Sequence, residues 1–127
     1  MISVKITVCL TFFIVPALTY IIGLRVKKNP PRQINKTVGY RTALSMSSQE
    51  AWDYANGRMG ELMIKGALYS FVVAVIGAII TLVINVPTES IVFPIIISAI
   101  ILIQVVCMMT STFTIEKELR NEVYKNN

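Results

Sequence analysis

The sequence predicts an all-α integral membrane protein, with three transmembrane helices and one amphipathic interfacial helix on the cytoplasmic side. Three observations carry that class. The chain is 54% hydrophobic and only 15% charged, where an ordinary soluble domain carries about 25% charged residues. Its apolar residues gather in three blocks, 2–24, 67–86 and 91–113. Each is long enough, at ~1.5 Å rise per residue, to cross a hydrocarbon core of ~30 Å. Eight of the twelve basic residues fall between the first two blocks, in 25–66. The whole of 1–127 reads as one membrane domain.

The first block, 2–24, carries a single charge, Lys5. A cleaved signal peptide is the alternative, but its apolar core runs about 7–15 residues and ends at a small-residue cleavage site. Here a longer run leads directly into Arg25, Lys27 and Lys28, the basic flank of a retained span. Pro16 removes a backbone hydrogen bond near mid-span and predicts a bend, with Thr7, Thr11 and Thr19 placed to satisfy the freed carbonyls.

In the segment 25–66, Pro30 and Pro31 hold the linker extended and Gly39 permits a turn. Ser47 and Glu50 form an S-x-x-E capping box. From there Trp52, Ala55, Met59, Leu62 and Met63 recur on one side, with Glu50, Asp53, Gly57 and Glu61 opposite. That pattern predicts an amphipathic helix of about 18 residues ending at Gly66, with Trp52 as its anchor in the membrane interface.

The second block, 67–86, is uncharged and carries a stripe of small residues spaced by four, Gly66, Ser70, Ala74 and Ala78, widened by Gly77 and Thr81. Such a stripe lets another helix approach closely, within the chain or in a homo-oligomer. The third block, 91–113, is also uncharged, and Gln104 within it predicts a hydrogen bond to another helix. The tail from 114 to 127 mixes both charges and reads as a helix end running into solvent.

The basic residues also set orientation. By the positive-inside rule 25–66 is cytoplasmic, the PTES connection at 87–90 outside, the N-terminus outside and the C-terminus cytoplasmic. Topology and contact with anionic lipid account for the net charge of +5 without a nucleic-acid partner. Cys9 and Cys107 lie in apolar spans, which argues against a disulfide. With no histidine, zinc sites and histidine-based triads lack their ligands and base. No glycine-rich nucleotide pattern occurs, so neither a cofactor nor a metal is predicted.

What chemistry the chain has is concentrated in NKTVGYRTALSMSSQEAWDYAN, 35–56. The candidate partner- or lipid-binding residues are Asn35, Gly39, Tyr40, Arg41, Thr42, Ser45, Glu50, Trp52 and Asn56. Arg41 is suited to grip a lipid phosphate with two donors, or to clamp Glu50 or Asp53. Asn35 and Asn56 are placed to bridge the turn and the helix. Ser45, Ser47 and Ser48 have no base beside them, and Lys36 and Lys65 would need desolvation to serve. The chain is therefore not read as an enzyme.

The pattern N-x3-GYRT-x2-S-x4-E-x-W-x2-AN, running from Asn35 to Asn56, resembles the signature of the SdpI family of bacterial membrane proteins. The better-known immunity member of that family is longer, with additional spans; this chain is close to the shared domain alone. The resemblance implies a multi-pass protein of the bacterial cell membrane, conferring immunity to a secreted membrane-active peptide toxin by non-catalytic binding. It also implies a signalling role through a cytoplasmic regulator. A small transporter, or an accessory subunit of a larger membrane complex, is the alternative.

Overall fold

The structure is a computed structural model that describes residues 1–122 and Lys125. Three helices account for most of it: α1 (Ile2–Lys28), α2 (Gln49–Val83) and α3 (Val92–Glu122). All three are long and apolar enough to cross a membrane, so the chain is a multi-pass membrane protein. They run up and down, with α2 packed against both neighbours. The tail is helical as far as Glu122, where α3 ends, but it does not run free into solvent: Ile115 and Leu119 are buried against α2; its part at 123, 124, 126 and 127 lies outside the described residues.

Between α1 and α2 the approach is closest near the loop. A side chain on Gly60 would collide with the backbone of Lys27, and one on Gly23 would meet the Gly60 carbonyl at 3.2 Å. Farther along, the small-residue stripe of α2 is buried at Gly66, Ser70, Ala74, Gly77 and Thr81. Ala78 is only half-buried, so Gly77 takes the place in the seam predicted for it. Phe12, Ala74 and Ile100 form the mid-span core contributed by all three helices.

Pro16 stays inside a continuous α1. A proline at 16 has no N–H for the carbonyl of residue 12, and Gln104 of α3 supplies the donor instead, its Nε2 lying 2.9 Å from the Phe12 oxygen. The same nitrogen reaches the Ser70 carbonyl of α2 at 3.3 Å. Gln104 thus makes the predicted interhelical hydrogen bond and ties the three helices together. The threonines do not serve Pro16: Thr7 and Thr11 donate to Ser3 and Val8, and Thr19 faces the Met108 sulfur. Lys5 is buried and donates to the Ile84 carbonyl at the C-terminal end of α2 (2.7 Å), where the helix dipole favours a cation.

The separate interfacial helix of 49–66 is corrected by the structure. Those residues are the first half of α2, which runs unbroken for 35 residues. Gly66 does not end the helix, because its backbone conformation is helical and its bare Cα lets α3 come close; an added Cβ would meet Ser111 Oγ at 2.9 Å. At ~1.5 Å per residue α2 is ~50 Å long, roughly 20 Å more than a hydrocarbon core needs. Its first half packs on the extended end of α3 through Ala51, Ala55, Leu62, Ile115 and Leu119.

Candidate functional site

The signature residues fold into a latch over the loop-side end of the bundle. Asn35 starts it with a side-chain turn: its Oδ1 accepts from the N–H groups of Thr37 (3.0 Å) and Val38 (2.7 Å). Gly39 follows at φ +110°, where an L side chain would be strained and would also collide with Asn56 and Pro31. This bare position lets the chain lie against Trp52.

Tyr40 is the centre of the latch. Its backbone N–H donates to Asn56 Oδ1 (2.7 Å), and Asn56 Nδ2 returns to the Trp52 carbonyl (3.0 Å). The Tyr40 hydroxyl donates to Glu116 on α3 (3.0 Å) and lies 3.2 Å from the Thr112 carbonyl. Burial first, and then the hydrogen bond to the Glu116 carboxylate, push this hydroxyl well above its ordinary value of 10.0. It remains a donor throughout the physiological range.

Thr42 and Ser45 close the next turn reciprocally. Ser45 Oγ accepts from the Thr42 N–H (2.9 Å) and donates to the Tyr40 carbonyl (2.9 Å), while Thr42 Oγ1 accepts from the Ser45 N–H (3.2 Å). Ser48, rather than Ser47, caps α2 by accepting from the Ala51 N–H. The reason is register: Ser47 Oγ is turned back to the Leu44 carbonyl at 2.6 Å. Glu50 lies exposed in the first turn of α2, where its charge suits the helix N-terminus.

Trp52 departs from its predicted role. It is 0% exposed, and its indole N–H donates to the Pro31 carbonyl (2.8 Å). The linker is pinned over it at Pro31, aided by Gln49 Nε2 donating to the Arg32 carbonyl (2.8 Å), so it anchors the loop to α2 and not the helix to lipid. Arg41 also departs from one of its predicted alternatives. It is exposed and hydrogen-bonds the Lys36 carbonyl, with neither Glu50 nor Asp53 as its partner among the described residues.

Six of the nine candidates, Gly39, Tyr40, Thr42, Ser45, Trp52 and Asn56, are therefore joined in one packed unit; Asn35 leads into it by hydrogen bonds within 33–38 and does not reach the helix, while Arg41 and Glu50 face outward. A polar clasp beside it was not anticipated. Arg58 grips Glu118 of α3 through Nε (3.0 Å) and Nη2 (2.9 Å) and reaches Glu61 through Nη1 (2.7 Å). Tyr54 adds a donor to Glu118 at 3.1 Å. The signal available for it is the spacing of Ile115 and Leu119, which continues a buried face of α3 beyond the span. Under Tyr40 lies a cavity of ≈ 270 Å³, lined by Thr19, Met59, Met63, Met108, Ser111 and Ile115 among others.

The SdpI/YfhL protein family matches residues 32–113, from the latch through the third span. One relative is "Uncharacterized protein YfhL" of Bacillus subtilis (strain 168), 45% identical over 51 residues, which are 40% of this chain and 46% of that protein. The match thus spans about half the length of that relative. No solved structure matches.

Proposed function

The chain belongs to the SdpI/YfhL protein family, and on that premise we propose that it confers immunity to a secreted membrane-active peptide toxin by binding, without catalysis. The observation that carries this reading is the division of labour within the signature. Six of its residues build the packed latch, and Arg41 is left exposed at the surface of that latch. A planar, exposed guanidinium suits a carboxylate or phosphate partner. The cavity under Tyr40 adds support, since methionine thioethers adapt to varied apolar side chains. Gln104, the one strongly polar side chain deep in the third span, is engaged by two carbonyls of neighbouring helices, which fits a packing role better than a transport path.

In this reading the latch faces the cytoplasm, as the basic residues of 25–66 direct, and a cytoplasmic regulator would meet the same Arg41 edge. The test is gain of protection. A sensitive bacterium making the chain is challenged with a panel of secreted membrane-active peptides, and survival rises against at least one of them. Unchanged killing by every peptide at normal membrane abundance would sink the immunity reading, and solute flux in proteoliposomes would replace it with a transporter.

A further inference from the structure

An apolar groove of ≈ 410 Å³ runs between α1 and α2, away from the latch. Buried Pro16 and Ala67 form its floor, and Ala17, Ile21, Leu68 and Phe71 stand along it as exposed walls. Its place within two membrane-spanning helices means that whatever fills it comes from the bilayer or lies in it.

Helical phase says what lies at its loop-side end. Lys28 follows Ala17 by 11 residues and Ile21 by 7, whole turns to within about 20° at ~3.6 residues per turn. Arg25 stands one turn past Ile21. Both cations are exposed and take part in no ion pair among the described residues. On α2 the acidic residue at the depth of these cations is Glu61, next to the Gly60 that meets Lys27, and it is already held by Arg58 (2.7 Å) and Lys65 (3.2 Å). The groove therefore ends at unpaired positive charge about 10 Å beyond Ile21, roughly the distance from upper acyl chain to phosphate.

We propose that this groove is a binding site for one anionic phospholipid of the loop-side leaflet, with an acyl chain along Ala17, Ile21, Leu68 and Phe71 and its headgroup against Lys28 and Arg25. Charge complementarity selects the headgroup, and the apolar walls hold the chain. The site is separate from the latch and from Arg41.

Native mass spectrometry of the full chain in detergent micelles tests it, with added phosphatidylglycerol or phosphatidylcholine of identical acyl chains. One phosphatidylglycerol is retained in preference to phosphatidylcholine, by about fivefold for each basic side chain the headgroup meets. Lys28→Gln lowers that preference about fivefold while leaving phosphatidylcholine retention unchanged. Ala17→Phe, which fills the groove from an exposed position, lowers retention of both lipids. Leu18→Phe, one residue around the helix and outside the groove, leaves both unchanged. Equal retention of the two lipids by the unaltered chain would overturn the proposal without recourse to any variant. So would full retention by Ala17→Phe, or equal loss in Ala17→Phe and Leu18→Phe.

Discussion

Gln104 donates to the carbonyl of Phe12, 2.9 Å away on another helix, and that carbonyl is the one Pro16 leaves without an N–H four residues on. The proline and the glutamine are two halves of one solution. A mid-span proline would expose an unsatisfied carbonyl to hydrocarbon, and a mid-span amide would be costly without an acceptor.

Gln104→Ala is expected to destabilise the bundle by about 1–2 kcal/mol in detergent. Its cost shrinks in a Pro16→Ala background, where the substituted position regains a backbone N–H that can pair with the Phe12 carbonyl. The coupling in that double-mutant cycle is about 1 kcal/mol, measured by unfolding of the four proteins. Strict additivity would mean that the two residues do not serve each other.

Trp52→Ala empties a fully enclosed site and frees the Pro31 carbonyl, at a cost of about 3–5 kcal/mol. Asn56→Ala strands the buried Tyr40 N–H and costs about 1–3 kcal/mol. Limited proteolysis reads both as faster cleavage in 29–48, with the three spans intact. Were Trp52 an anchor in lipid, its replacement would leave the loop as resistant as before.

Tyr40→Phe removes the hydroxyl that reaches Glu116 and lowers stability by about 1–2 kcal/mol at neutral pH. The folded-state value of this hydroxyl is raised above 10.0, so its contribution is whole below the ordinary tyrosine range and is lost as pH climbs beyond it. The gap in unfolding midpoint between the two proteins is therefore constant from neutrality to about pH 9 and narrows above about pH 10. A gap that widened with alkalinity would reverse the assignment.

How much of this was legible in the sequence follows from the range of each interaction. The spans show because hydropathy is a local sum, and the turn at Gly39 shows because glycine is the residue that tolerates its φ of +110°. The latch itself does not show, since Tyr40 meets Glu116 across 76 positions and Arg58 meets Glu118 across 60. Trp52 illustrates the limit. Beside an apolar block an aromatic residue reads as an interfacial anchor, and only the folded linker brings Pro31 over it. Gly66 likewise carries the type of residue that ends helices, while its use here is to admit α3.

Orientation is open to direct labelling. In a cysteine-free background, Gln33→Cys is shielded from an impermeant reagent added outside intact cells, and Glu89→Cys reacts. The reverse pattern would turn the latch outward and move Arg41 to the other side of the membrane.

Arg41→Lys keeps the positive charge but loses the planar two-pronged donor, and it touches none of the latch hydrogen bonds made by Tyr40, Ser45, Trp52 or Asn56. The decisive measurement is survival of toxin-challenged cells carrying this variant, with its membrane abundance and unfolding midpoint matched to the unaltered protein. If the latch exists to present Arg41, protection is lost while abundance and stability hold. Full protection by Arg41→Lys under those matched conditions would contradict that claim and shift recognition to the spans.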